Sequence, residues 1–142
     1  MNREEIMNIL PHRDNMLLVV EAEVLADDKN KCRGSYTIKG SEWFLKGHFP
    51  GNPVVPGVVL CEMMAQTCCV MLAEQNSGEK ITPYFTSLDK VKFRSKVLPG
   101  DRLEMECELL KVRKPFYFAK GKGSVNGKLC VSAEFSFACI EE

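Results

Sequence analysis

Between Val58 and Ala73 the chain runs through sixteen positions of which only Glu62, Gln66 and Thr67 carry clearly polar side chains. Gly57 to Gln75 is predicted to be a helix, because Pro56 precedes it and Asn76-Ser77-Gly78 supplies a stop. A helix on the surface of a domain shows one apolar stripe and one polar face, whereas this one is apolar nearly all round. Such a helix has to be enclosed. The rest of the chain must therefore provide a surface that wraps it, and Glu62 must be a carboxyl held away from bulk water.

After this helix the hydrophobic period changes from helical to two and stays there. Pro83 to Leu98 reads as a long strand, with Lys90, Lys92, Arg94 and Lys96 on one face and Val91, Phe93 and Val97 on the other. Pro99-Gly100-Asp101 is a turn. Leu103, Met105, Cys107 and Leu109 alternate with Glu104, Glu106 and Glu108, the pattern of a half-buried antiparallel strand. The phase slips at Leu109-Leu110, which predicts a bulge. Phe116–Val125 and Lys128–Ile140 flank Asn126-Gly127, a strong hairpin signal. Ahead of the helix, Glu4–Leu10 reads as a short helix stopped by Pro11, Met16–Leu25 as a strand and Lys31–Lys39 as a second, more polar strand. One long buried helix with five or six mostly antiparallel strands predicts a single α+β domain over residues 1–142, its sheet wrapped around the helix.

Bulk properties exclude several classes. Nineteen basic and nineteen acidic side chains leave no net charge, so charge gives no reason to expect a nucleic-acid partner. No run reaches the roughly 18 uninterrupted apolar residues of a membrane span. Met1-Asn2-Arg3-Glu4-Glu5 lacks the apolar core of a secretion signal, and the expected location is the cytoplasm. Seven cysteines are an odd count with no Cys-x-x-Cys. Cys61, Cys68, Cys69 and Cys107 fall in apolar patterns, where a reduced thiol behaves as a small core residue. With only His12 and His48 as histidines and no cysteine pair at ligand spacing, no metal site is expected. Met63, Met64 and Met71 read as adaptable core.

The loop that feeds the helix carries the chemistry. In Gly47-His48-Phe49-Pro50-Gly51-Asn52-Pro53-Val54-Val55-Pro56-Gly57, glycines and prolines deliver His48 close to a helix start. Imidazole titrates nearest neutrality and suits a general base. Glu62, five residues past Gly57, lies only ~7.5 Å further along the helix axis and leans toward the N-terminus. Its apolar neighbours raise a carboxyl pKa and keep an acidic proton available. Gln66 stands one turn on and can hydrogen-bond Glu62, or serve as a buried amide satisfying backbone. Gly57 offers an N–H at the positive end of the helix, suited to an oxygen that gains charge, or is simply a steric allowance after Pro56. His12 has no evident partner and reads as structural or as lying near the mouth of a substrate tunnel.

His48-Phe49-Pro50-Gly51-x-Pro53-x-x-Pro56-Gly57 with Glu62, Ala65 and Gln66 closely resembles the signature of the bacterial (3R)-3-hydroxyacyl-[acyl-carrier-protein] dehydratases of the hot-dog fold, the FabZ-like family. Leu10-Pro11-His12-Arg13 with Leu17-Leu18-Val19 resembles that family's N-terminal motif. Val91-Lys92-Phe93-Arg94 leading to Pro99-Gly100-Asp101 resembles a later strand and turn, so the likeness spans nearly the whole chain. It implies a hot-dog domain that dehydrates (3R)-3-hydroxyacyl-[acyl-carrier-protein] to the trans-2-enoyl form in fatty-acid biosynthesis, without cofactor or metal. It further implies His48 and Glu62 as the catalytic pair, Gly57, Phe49 and Gln66 as substrate-binding residues, and acyl carrier protein bearing a phosphopantetheine-linked acyl chain as partner.

Lys92, Arg94 and Lys96 are candidates for docking that acidic carrier, the alternative being a solvated strand face. The family pairs as homodimers that often assemble as trimers of dimers. Phe49–Gly57, stiffened by three prolines, holds His48 off its own helix, so the site is expected to combine His48 of one chain with Glu62 of another. Three other functions are compatible with such a chain: a dehydratase that also isomerises trans-2 to cis-3 enoyl chains, a hot-dog acyl thioesterase, and an inactive carrier-binding subunit.

Overall fold

In the computed structural model, which describes residues 1–75 and 81–141, the long helix α2 occupies Gly57–Gln75 and is packed on a curved antiparallel sheet. The stop expected at Asn76-Ser77-Gly78 lies outside the described residues. From Val59 to Ala73 every α2 residue is buried except Glu62, which is half-buried. A short helix α1 (Arg3–Met7) precedes the strands β1 (Glu21–Val24) and β2 (Lys31–Thr37). The strands β3 (Ile81–Phe93), β4 (Arg102–Arg113), β5 (Phe116–Val125) and β6 (Lys128–Glu141) follow α2. The sheet order is β1-β2-β4-β5-β6-β3, which leaves β3 as one edge.

The inward row of β4 is the one the period-two pattern marks, and β5 and β6 add rows of their own. Leu103, Met105, Cys107 and Leu109 of β4, Tyr117 and Ala119 of β5, and Val131, Ala133, Phe135 and Phe137 of β6 are all buried. The register of β4 on β5 shifts between Leu109 and Lys111, where the phase slip predicts it. Asn126 and Gly127 both take positive φ (51° and 80°), the requirement of a type I′ turn between Val125 and Lys128. The helix packs tightly on β2, where a Cβ on Gly34 would stand 2.7 Å from the Thr67 Cγ2. All seven cysteines are free thiols and only Cys139 is not fully buried; Cys32 donates to the Thr67 carbonyl (3.4 Å) and Cys107 to that of Met64 (3.3 Å).

Four expected boundaries are corrected. The first helix is Arg3–Met7 rather than Glu4–Leu10: Asn2 and Glu5 form a reciprocal capping box, and Asn8 ends the helix before Pro11 is reached. Strand β1 begins at Glu21, not Met16. Residues 17–19 are buried and extended, but the Leu18 N–H is held by the Gln66 Oε1 (2.7 Å) instead of a neighbouring strand. Strand β2 ends at Thr37, beyond which Ile38 exchanges hydrogen bonds with Gly100 and Asp101. Strand β3 stops at Phe93 and carries register shifts at Phe85/Ser87 and Asp89/Lys92, with Lys90 at φ 50°. Strict alternation is therefore lost: Phe93, expected on the buried face, is 54% exposed, and Arg94 and Lys96 lie past the strand.

Gly34→Val is expected to destabilise the domain by about 1–3 kcal/mol, because the added methyls collide with Thr67 in a packed layer. Equilibrium urea unfolding measures the loss.

Candidate active site

The loop ahead of α2 is a set of nested turns that fix one imidazole. Phe49 and Asn52 bond each other's main chain (3.0 and 2.8 Å) around Gly51, whose φ is 71°. Val54 N–H donates to the His48 carbonyl (2.7 Å), and Val55 N–H ties the loop to the Val97 carbonyl (3.0 Å). The His48 ring stacks on Phe49 at 4.1 Å, and its Nδ1 lies 3.0 Å from the Val54 carbonyl. A carbonyl can only accept, so Nδ1 is the donor and, in the neutral ring, Nε2 is the acceptor. Nε2 is thereby left as the acceptor of the ring.

On α2, Pro56 takes the first helical bonds through its carbonyl, leaving the Gly57 and Val58 N–H groups in the first turn without an intrahelical acceptor. The Phe93 ring rests on this point: a Cβ at Gly57 would sit 2.6 Å from it. Any other residue at the helix start would have to displace this ring. One turn later comes Glu62. Burial pushes its carboxyl above the ordinary range, and the hydrogen bond from Gln66 only partly opposes this.

Gln66 makes three bonds with one amide. Its Oε1 accepts from Leu18 N–H (2.7 Å), and its Nε2 donates to the Met16 carbonyl (2.6 Å) and to the Glu62 Oε2 (3.2 Å). It orients the carboxyl and fastens the 16–18 segment to the helix with the same side chain. Both expected roles, partner of Glu62 and satisfier of backbone, are present in its geometry.

His12, for which the sequence offers no partner, stands beside Glu62 with its Nε2 3.9 Å from Oε2. Arg13 holds that turn by donating to the carbonyls of Met7, Leu10 and His12. The two residues are fifty positions apart, and no spacing rule could join them; only the packing of the N-terminal turn on α2 does. The small cavity at Glu62 is closed by Ala65, Cys69, Pro83, Phe85 and Phe137, and His48 is not among its lining residues.

The basic residues are elsewhere. Lys92 and Arg94 line a groove on the sheet's outer face with Lys31, Lys120 and Lys122, while Lys96 lines a separate hollow near Asp101. Lys90, Lys120 and Lys122 pair with Glu134, Glu108 and Glu106 (3.1, 3.4 and 3.2 Å). Lys92, Arg94 and Lys96 form no ion pair among the described residues. No cluster of three or more metal-ligating side chains occurs among those residues, and no described helix is long and apolar enough to cross a membrane.

Comparison with known proteins decides the family. The model of the FabA-like domain matches residues 10–134. The chain belongs to the FabA-like family. It is 39% identical over 139 residues to the 3-hydroxyacyl-[acyl-carrier-protein] dehydratase FabZ of Clostridium beijerinckii, covering 97% of this chain and 98% of that one. It is 45% identical over 134 residues to the FabZ of Enterococcus faecalis, covering 94% of each. Among solved structures, the dehydratase heterocomplex ApeI:P of Xenorhabdus doucetiae superposes with a TM-score of 0.81 at 19% identity, covering 96% of this chain and 91% of that one. The last likeness bears on the fold, which is the hot-dog fold: one long helix wrapped by an antiparallel sheet.

Because Gln66 satisfies Leu18 and Met16 as well as Glu62, Gln66→Leu is expected to lower stability by about 1–3 kcal/mol for the buried backbone groups left unpaired. Chemical denaturation of the purified variant checks this.

Proposed function

We propose that this FabA-like enzyme dehydrates (3R)-3-hydroxyacyl-[acyl-carrier-protein] to the trans-2-enoyl form, with His48 as base and Glu62 as acid. The observation that carries the reading is the opposite protonation bias of the two groups. Hydrogen bonding by Val54 leaves His48 Nε2 free to accept, while burial keeps Glu62 ready to donate. Nε2 takes the proton from C2 as the C2–C3 double bond forms, and the C3 hydroxyl leaves as water with the proton of Glu62. The developing negative charge on the thioester oxygen is met by the N–H at Gly57. The resulting imidazolium and carboxylate are reset by proton exchange with solvent.

The two groups come from different chains in this reading. Glu62's cavity does not include His48. Strand β3, the sheet edge, bears the exposed Tyr84, Phe85, Leu88 and Phe93, and Phe49 and Val58 are exposed at the helix start. A homodimer paired along β3 buries this apolar surface and brings one chain's loop toward the other's helix. Trimers of such dimers fit the same reading, as does a cytoplasmic location. Phe49 shapes the site by stacking on His48.

His48→Ala and Glu62→Ala should each reduce dehydration by about 10²–10⁴-fold while remaining folded. Mixing the two under subunit exchange should restore activity, since one site of each mixed dimer is then intact. Failure of rescue with exchange verified refutes the shared site. Product analysis by mass and double-bond position separates the chemistry: a free acid identifies a thioesterase, a cis-3 product an isomerase, and no turnover a binding subunit.

Lys92, Arg94 and Lys96 are the proposed contacts for the acidic carrier and its phosphopantetheine phosphate. Lys92→Glu is expected to raise KM for carrier-linked substrate far more than for a short pantetheine analogue. Equal effects on both substrates count against docking.

A further inference from the structure

The reaction as proposed leaves a second imidazole unused beside its acid. His12 Nε2 lies 3.9 Å from Glu62 Oε2, and His12 Nδ1 is buried with no hydrogen-bond partner among the described residues. An apolar side chain would fill this position without stranding a nitrogen. The ring's tautomer follows from the same fact. An orphaned N–H is rarer in a protein interior than an orphaned acceptor, so the proton belongs on Nε2, facing the carboxyl.

Oε2 already accepts from Gln66 Nε2 at 3.2 Å. We propose that His12 is a positioning residue for Glu62: together with Gln66 it holds Oε2 as a hydrogen-bond acceptor, so that the acidic proton resides on Oε1. The inference rests on Glu62 being the general acid. At 3.9 Å the contact is not a formed hydrogen bond, but a small rotation of either side chain closes it, and such contacts commonly tighten when substrate binds.

Other groups around the carboxyl do not compete. Cys69 faces it from α2, and burial pushes that thiol well up, so it stays neutral. Strand β3 contributes Pro83 and Phe85 and β6 contributes Phe137, none of which titrates. The Arg13 guanidinium is bound to three main-chain carbonyls. Burial, then the Arg13 charge, lowers the His12 pKa, so the ring meets Glu62 as a neutral donor.

The test compares His12→Leu, His12→Asn and His12→Gln in the full chain. Glutamine can place an N–H near the position of Nε2, whereas asparagine reaches only as far as Nδ1. Two readouts are needed: kcat and KM for a 3-hydroxyacyl-carrier substrate, and the titration of the Glu62 carboxyl followed by ¹³C NMR, its signal assigned through Glu62→Gln. Leucine and asparagine should each lower kcat about 10- to 100-fold with KM little changed, as expected for a misaligned acid. They should also move the Glu62 titration to higher pH, because a donor that stabilises its carboxylate is gone. Glutamine should recover most of both. If leucine disrupts folding, asparagine carries the comparison.

Unchanged kcat and titration in the leucine and asparagine variants overturn the proposal. So does a titration moved toward the ordinary carboxylate range without rescue by glutamine, the signature of water entering a loosened turn. Absence of dehydration by the unmodified protein would instead remove the acid role of Glu62, and the NMR titration would still decide whether His12 governs that carboxyl.

Discussion

A helix with no polar face has to be surrounded, and a sheet can surround it only by bending and by letting the helix come close. Both conditions are met locally here. The register shifts in β3 and at Leu109/Lys111 of β4 bend the strands, and Gly34 removes the side chain that would otherwise keep Thr67 away. Once α2 is enclosed, any ionisable group on it is desolvated unless it lies at the margin. Glu62 lies at that margin, half-buried near the helix start, where desolvation raises its carboxyl pKa without enclosing it fully.

The loop side of the proposed pair works by a different principle. His48 is governed by its hydrogen bond to the Val54 carbonyl, which decides which nitrogen can accept. In the proposed pair, desolvation raises the Glu62 pKa and a fixed tautomer leaves His48 Nε2 as acceptor, two separate devices in one fold. The two environments cannot be exchanged: a histidine on α2 would lose its charge to burial, and a glutamate in the loop would have a carbonyl facing it.

Much of this was readable along the chain because it depends on local pattern. The all-round apolar run placed α2, the period-two row identified the inward face of β4, and Asn126-Gly127 set the hairpin. Strand edges were less readable. The Leu17–Val20 run has strand composition, but its Leu18 N–H is taken by a side chain 48 residues away, and β3 is broken by shifts that composition does not record. For the same reason Gln66 was visible as a neighbour of Glu62, four residues distant, while His12 was not. Helical spacing announces contacts within α2, but contacts made by a loop folding back over it have no sequence period.

The same contacts tie the setting of Glu62 to folding. Gln66 binds the 16–18 segment through two backbone groups and Glu62 through one carboxylate oxygen, so the amide cannot turn toward either without affecting the other. Arg13, by gathering the carbonyls of Met7, Leu10 and His12, stiffens the turn that lies against the same carboxyl. The N-terminal segment therefore acts as one wall of the acid's cavity, held by hydrogen bonds as well as by the burial of residues 17–19. Moving such a wall would strip the Leu18 N–H and the Met16 carbonyl of the bonds Gln66 gives them.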